Sequence, residues 1–213
     1  MPVTAENAEL VAALRREGVE DARLLEAVRV VPRRAFVPAE AAERAYVDVP
    51  VRIPHGQVTT QPSLVAKMIG ALALTGEEHV LEVGTGYGWQ TALLARLARV
   101  VHSVERWPDL ADTARANLLS QGIENATVVV GDGSEGVAEH APYDAVLVSA
   151  AFTEVPAPLA EQVAVGGRLV QPIGPGGSDD VVLFERLARG LVASRTITGA
   201  HFVRLVGSRG FPG

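Results

Sequence analysis

From Pro62 onward, short runs of Val, Leu and Ile alternate with segments of helical periodicity, and nothing else in the chain limits its fold as much. The runs HVLEVG, VVHSVE, ATVVVGDG, YDAVLVSA and GGRLVQPIG are nearly continuous in apolar residues rather than apolar at every second position. A strand of that kind is buried on both faces, as happens in a parallel sheet covered by helices on each side. Leu64, Val65, Met68, Ile69 and Leu72 mark one such helix, and others are expected over residues 89–98, 110–119 and around 159–163. The last two runs, VVLFERLA and SRTITGAHFVRLV, have no helix between them and are expected to pair antiparallel at the end of the sheet. GPGGSDD reads as a loop between the last strands. The fold class is therefore α/β, a doubly wound and mostly parallel sheet.

Before Pro62 the pattern is different. Leu10, Val11 and Leu14 recur at helical spacing over residues 6–16, with Thr4 as a candidate N-cap and Gly18 as a stop. Leu24, Leu25 and Val28 mark a second helix over residues 22–30, ended by Pro32. VPRRAFVP and residues 50–54 read as irregular chain. Residues 1–61 are thus expected to form a helical cap with a loop, and residues 62–213 the core, together one compact unit.

Composition excludes several function classes. A chain of 213 residues with 48% hydrophobic and 21% charged residues can bury a substantial core and is not disordered. A net charge of -6 with no basic run gives no footprint for a nucleic-acid backbone. The absence of cysteine removes disulfides, thiolate nucleophiles, cysteine-bound zinc and iron–sulfur clusters at once. The five histidines show no HExxH or paired spacing, so no metal site is expected. The polar, acidic opening MPVTAENAEL lacks the form of a signal peptide, and no apolar run reaches membrane-spanning length. A cytoplasmic monomer without nucleic-acid or membrane partners is expected.

The chemistry gathers at strand ends. The first run ends in Glu82 and enters Gly84, Thr85, Gly86, Tyr87 and Gly88 before a helix. Glycines in a strand-to-helix turn let backbone N–H groups approach a ligand, and the helix N-terminus favours negative charge. Trp89 stands where the dinucleotide fingerprint needs its third glycine, which argues against a nicotinamide cofactor. No Walker lysine follows, which argues against a nucleoside triphosphate. Glu105, followed by Arg106, ends the second run where a carboxylate can accept hydrogen bonds from a ribose diol. Asp132, beside Gly133, ends the third, where it can meet an adenine amino group. A bare tight turn, a solvated strand-end charge and an Asx-turn are the structural alternatives for these three features. Together they fit a ligand with a ribose, an adenine and a cationic centre.

VLEVGTGYG, VHSVER and VVVGDG resemble the Rossmann-like S-adenosylmethionine-dependent methyltransferases. LLEAVRVVPRRAFVP, AYVD, GQVTTQP, GTGYGWQTALLA, VVGDGSEG, APYDAVLVSAA and VAVGGRLVQPIG, in that order and over nearly the whole chain, narrow the resemblance to the protein-L-isoaspartate O-methyltransferases. The resemblance implies a seven-stranded sheet, an N-terminal helical cap, and S-adenosyl-L-methionine as cofactor with S-adenosyl-L-homocysteine as product. It also implies a peptide or protein substrate carrying isoaspartyl, methylated on its free carboxylate as a step in protein repair. It places the cofactor on Glu82, Gly84, Thr85, Gly86, Tyr87, Gly88, Glu105, Arg106, Asp132 and Gly133, and the substrate on Gln57, Val58, Thr59, Thr60, Ala150 and Ala151. Asp48, in AYVD, matches an acidic position near the active-site loop, with a surface turn as its alternative.

The loop departs from the family. Where the usual motif reads G-Q-T-I-S-Q-P, this chain has Val58 for threonine, Thr59 for isoleucine and Thr60 for serine. Thr60 is the expected catalytic hydroxyl, with Thr59 second; capping of the helix that opens at Pro62 is the structural alternative for Thr60 or Gln61. The altered loop leaves two further readings open: carboxyl methylation of aspartate in one dedicated peptide, or a cofactor-binding relative that has lost catalysis.

Overall fold

A computed structural model describes residues 5–213; the candidate N-cap Thr4 lies outside them. The elements, in chain order, are α1 (Ala5–Arg16), α2 (Ala22–Val30), β1 (Val51–Arg52), β2 (Val58–Thr59), α3 (Pro62–Leu72), β3 (His79–Val83), α4 (Trp89–Leu97) and β4 (Val100–Glu105). There follow α5 (Pro108–Ser120), β5 (Ala126–Val130), β6 (Tyr143–Val148), α6 (Ala157–Gln162), β7 (Val163–Ile173), β8 (Asp179–Leu187) and β9 (Gly190–Ala200). Seven strands form one sheet in the order β5-β4-β3-β6-β7-β8-β9. The first five are parallel, and β8 and β9 run antiparallel. This is the mostly parallel α/β sheet with an antiparallel end that the apolar runs predict.

Alternate residues of the central strands enter different cores, because successive side chains of a strand point to opposite faces. Val80, Ala145, Leu147 and Val170 join a cluster with Leu14, Leu24, Met68, Leu93 and Ala114 from α1 to α5. Leu81, Val83, Val146, Val148 and Leu169 join a second cluster with Leu159 of α6 and Leu205. Burial on both faces is what makes these strands read as continuous apolar runs. Cap helices α1 and α2 share the first cluster with the core helices, so one hydrophobic mass spans residue 61.

The structure revises three local expectations. The helix expected to reach Val163 stops at Gln162, and Val163 opens β7. The final run is not all strand: β9 ends at Ala200, and the chain then crosses back so that Arg204 bridges Ala151. Residues 50–54 are not irregular throughout, because Val51 and Arg52 pair with Thr59 and Val58 in a hairpin. His55 and Gly56, at φ 60° and 68°, form its two-residue turn, closed by the Gln57 N–H donating to the Pro54 carbonyl at 3.1 Å. Positive φ at both central residues is the turn geometry that matches strand twist; an X-Gly signal was present as His55-Gly56 but lay in segments too short to show alternation.

Strand order reverses between β3 and β6, whose C-terminal ends carry the glycine turn and Ser149. The crevice beyond such a reversal is where open α/β sheets bind ligands.

Candidate active site

At that crevice the chain builds a cleft of about 890 Å³, counting its open mouth, a size suited to a small-molecule ligand. Gly84, Gly86 and Gly88 adopt φ of 94°, 55° and 91°, left-handed values that carry the turn from β3 into α4. Thr85, Tyr87, Glu105, Arg106, Gly133 and Ala150 join these glycines on the wall. Gly133 is held by close approach, since a Cβ there would lie 2.5 Å from Val83 Cγ1. Glu105, 5% exposed, accepts the Gly86 N–H at 2.9 Å and the Trp107 N–H at 3.1 Å, which fixes its carboxylate at the end of β4 with lone pairs to spare.

The three strand-end acids do not share one role. Glu82 is fully buried and absent from the wall of the cleft. Its carboxylate accepts from Gln90 Nε2 at 2.9 Å, Ser103 Oγ at 2.6 Å and Thr91 Oγ1, and Ser103 Oγ is also 2.5 Å from Thr85 Oγ1. Burial pushes Glu82 up to about 7 despite those donors. It braces the turn from beneath. Asp132 also stays off the wall: it accepts from Ser134 N at 2.9 Å, Ser134 Oγ at 2.6 Å and the Ser208 N–H at 2.6 Å. Burial raises its carboxyl, but the hydrogen bonds from Ser134 and Ser208 outweigh burial and hold it below the usual range. The expected adenine carboxylate is thus engaged by the C-terminal segment, and its neighbour Gly133 is what faces the cleft.

Ala150 and Ala151 also part company. Ala150 lines the cleft, whereas Ala151 is fully buried in backbone pairing, its N–H donating to Val203 and its carbonyl accepting from Leu205.

The hairpin loop is fixed from both ends. At the hairpin tip, His55 stacks on Trp107 at 3.9 Å and its Nε2 lies 2.9 Å from Asp109 on α5. At the base, Arg33 is fully buried and donates to the carbonyls of Ala45, Val47, Val49 and Thr60 and to the Thr59 hydroxyl. The guanidinium also lies over the Trp89 ring at 5.3 Å. Burial pulls Arg33 down to about 10, with Asp48 working against the shift, so it remains charged at neutral pH. Neither Thr60 nor Gln61 caps α3. Asp48 does, accepting the Ser63 N–H at 2.8 Å and Gln61 Nε2 at 3.0 Å.

Beyond this loop a second cavity is lined by Glu17, Pro50, Gln61, Lys67 and residues 198–202. Val58, Thr60, Ser149 and Val203 stand on the walls of both cavities. The Thr60 hydroxyl has no hydrogen-bond partner among the described residues, while that of Thr59 is taken by Arg33. Gln57 and Val58 line the cleft beside them. Sequence reading missed Arg33, Gln90 and Ser149, because a lone Arg, Gln or Ser gives no periodic signal of burial or of which way it faces.

The residues present fit an adenosyl cofactor with a cationic centre. Glu105 would present a carboxylate to a ribose and the glycine turn its backbone to the ligand, and Gln90, whose buried Oε1 has no partner of its own, lines the cleft. A family model for protein-L-isoaspartate(D-aspartate) O-methyltransferase matches residues 5–210. A protein-L-isoaspartate O-methyltransferase of Methanoculleus marisnigri is 45% identical over 213 residues, covering 100% of this chain and 96% of the relative. Its counterpart in Myxococcus xanthus is 48% identical, covering 83% of this chain and 84% of its own. A solved protein-L-isoaspartate O-methyltransferase superposes with a TM-score of 0.84 at 29% identity, over 96% of this chain and 67% of that one. The Plasmodium falciparum structure described as a putative protein-L-isoaspartate O-methyltransferase in complex with S-adenosyl-L-homocysteine shares the fold, with a TM-score of 0.80 at 22% identity over 92% of this chain and 96% of that one. With the hairpin, the glycine turn and the buried acid all within the matched residues, the chain belongs to the protein-L-isoaspartate(D-aspartate) O-methyltransferase family.

Proposed function

We propose that this chain uses S-adenosyl-L-methionine, bound in the cleft, to methylate the free carboxylate of isoaspartyl residues that enter through the second cavity. The observation that carries this reading is that Thr60, whose hydroxyl has no hydrogen-bond partner among the described residues, is a wall residue of both cavities. When bound, the cofactor supplies an electrophilic methyl group on sulfur and leaves as S-adenosyl-L-homocysteine. The acceptor carboxylate needs no general base, because its ordinary pKa of about 4 leaves it ionised at neutral pH. What the protein contributes is orientation and exclusion of water. Thr60 donates to the oxygen that does not attack. Arg33 holds the Thr59 hydroxyl and the Thr60 carbonyl, which fixes the loop that presents Thr60. Glu105, its carboxylate fixed by the Gly86 N–H, would hold the ribose end, and Gly133 would leave room for the adenine.

The loop VTT retains hydroxyls while removing the one at position 58. Incubation with labelled S-adenosyl-L-methionine and matched isoaspartyl and aspartyl peptides tests the reading. Base-labile label on the isoaspartyl peptide alone is the expected result. Label on the aspartyl peptide overturns the reading, and label on neither, with the cofactor still bound, points to a dedicated peptide substrate or to lost catalysis. We further propose a monomer acting in the cytoplasm. The most exposed large apolar side chains, Leu119 and Val165, lie on separate segments, and no helix among the described residues is long and apolar enough to cross a membrane.

A further inference from the structure

The wall between the two cavities carries a second hydroxyl-bearing residue, Ser149, immediately beyond β6. Its backbone N–H donates to the Val83 carbonyl at 2.9 Å, and its Cβ is 3.4 Å from where a Cβ on Gly84 would stand. Ser149 therefore sits in the reversal between β3 and β6, against the first glycine of the cofactor turn. Gln90 Nε2 spends its two hydrogens on Glu82 Oε1 at 2.9 Å and Ser149 Oγ at 2.8 Å. Glu82 accepts from Gln90, Thr91 and Ser103, which orients the amide so that its nitrogen faces Ser149. Ser149 Oγ is thus an acceptor toward Gln90, and its own O–H remains available to donate into the shared space. A hydroxyl that is already accepting is polarised into a better donor.

The residues on the shared wall are Val58, Thr60, Ser149 and Val203, none of them charged. Lys67, the lysine on the second cavity, is paired with Glu17 at 3.1 Å. A carboxylate brought to this place meets no cation on the shared wall itself; Arg106 and Arg204 stand elsewhere on the cleft wall, Arg204 with its Nε donating to the Pro175 carbonyl at 3.0 Å.

We infer that Ser149 is a second carboxylate-binding hydroxyl for the methyl acceptor, acting with Thr60, and that Gln90, braced by Glu82, is the positioning residue that turns the Ser149 O–H toward the substrate. The inference rests on the methyl-transfer reading above. It also accounts for how the loop tolerates Val58: one of the donors lies on the sheet rather than on the loop. Two hydroxyls reaching one carboxylate oxygen from different elements fix the carboxylate plane, which a single donor leaves free to rotate.

The test compares the parent protein with Ser149→Ala and Ser149→Thr. Readouts are kcat and KM for an isoaspartyl peptide, affinity for S-adenosyl-L-homocysteine, and affinity of the S-adenosyl-L-homocysteine complex for the isoaspartyl peptide against its aspartyl twin. Ser149→Ala is expected to lower kcat/KM by about tenfold or more, the scale of a lost hydrogen bond to a charged group. It is also expected to narrow the isoaspartyl preference in binding while S-adenosyl-L-homocysteine affinity stays within about twofold, and Ser149→Thr is expected to restore most of the loss. A kcat/KM for Ser149→Ala within twofold of the parent overturns the inference, as does a loss that follows S-adenosyl-L-homocysteine affinity. Those results leave the methyl-transfer reading intact provided that the parent methylates the isoaspartyl peptide; a parent that does not do so overturns both.

Discussion

Arg33 Nη2 donates to the Thr59 hydroxyl at 3.0 Å, from a guanidinium that no solvent reaches. Through this bond and four to backbone carbonyls, a residue of the N-terminal cap sets the shape of the loop that separates the two cavities. A planar fork with five N–H donors can satisfy carbonyls in several directions at once, which an ammonium cannot.

Replacing Arg33 with Met therefore leaves carbonyls of Ala45, Val47, Val49 and Thr60 without their donor in a buried space. A loss of about 3 kcal/mol or more is expected, the scale of breaking a buried charged network. Urea unfolding measures it, and limited proteolysis over residues 45–61 shows whether the loop is released. Arg33→Lys keeps the charge without the fork and should recover only part of the stability; full recovery would mean that charge, not geometry, matters.

Thr60 and Thr59 differ in their partners, so their valine variants should differ in effect. Thr60→Val removes a hydroxyl with no protein partner and should lower methyl transfer by about tenfold or more, with little change in stability or cofactor affinity. Thr59→Val removes an acceptor from Arg33 and should show first as a lower unfolding midpoint. Steady-state kinetics beside thermal denaturation separates the two; a Thr60→Val enzyme as fast as the parent removes Thr60 from the mechanism.

Asp48 caps α3 from outside the helix and also holds the Gln61 side chain. Asp48→Ala should cost roughly 1–2 kcal/mol, as loss of a helix cap does. Because Gln61 lines the second cavity, KM for the peptide should rise more than affinity for S-adenosyl-L-homocysteine falls. An unchanged unfolding midpoint would show that water replaces the cap at no cost.

Three histidines far apart in sequence meet near the N-terminal ends of β3 and β4. His79 Nε2 is 2.8 Å from His102 Nδ1, and His102 stacks on His140 at 3.9 Å. Among the described residues no group of three or more His, Cys, Asp and Glu is arranged to hold a metal ion. Burial, then His140 and His79, pull His102 down to about 4, with Glu139 opposing; burial also lowers His79, with Asp144 opposing and His140 and Arg99 adding. A folded-state pKa below the unfolded 6.5 means that the unfolded chain binds more protons in between. The contribution is fully present above about pH 6.5 and is lost as pH falls toward 4. Buried Glu82 has the opposite sign: raised from 4.5 to about 7, it favours the fold at low pH and loses that contribution as pH rises through 7. Unfolding midpoints measured from pH 7 to pH 5 should fall less steeply in His102→Asn than in the parent. Parallel curves would place the acid sensitivity elsewhere.

The sequence by itself determined the sheet and the place of the glycine turn. Continuous apolar runs such as HVLEVG and YDAVLVSA are a local record of strands covered on both faces, and Gly84, Gly86 and Gly88 mark the backbone bend by their own conformational range. It could not rank Glu82, Glu105 and Asp132, each of which ends an apolar run. Tertiary structure separated them. Glu82 points under the turn among Gln90, Thr91 and Ser103; Glu105 faces the cleft; and Asp132 is taken by Ser208, 76 residues further along the chain. The same holds for Arg33, which lies in VPRRAFVP, read as irregular chain, yet is buried because carbonyls from two later segments converge on it. Ser149 becomes legible only when β6 is set beside β3. Periodicity records which face of an element is covered, because that depends on neighbours a few residues away. Which side chains meet across strands depends on chain packing over distances that no local pattern encodes.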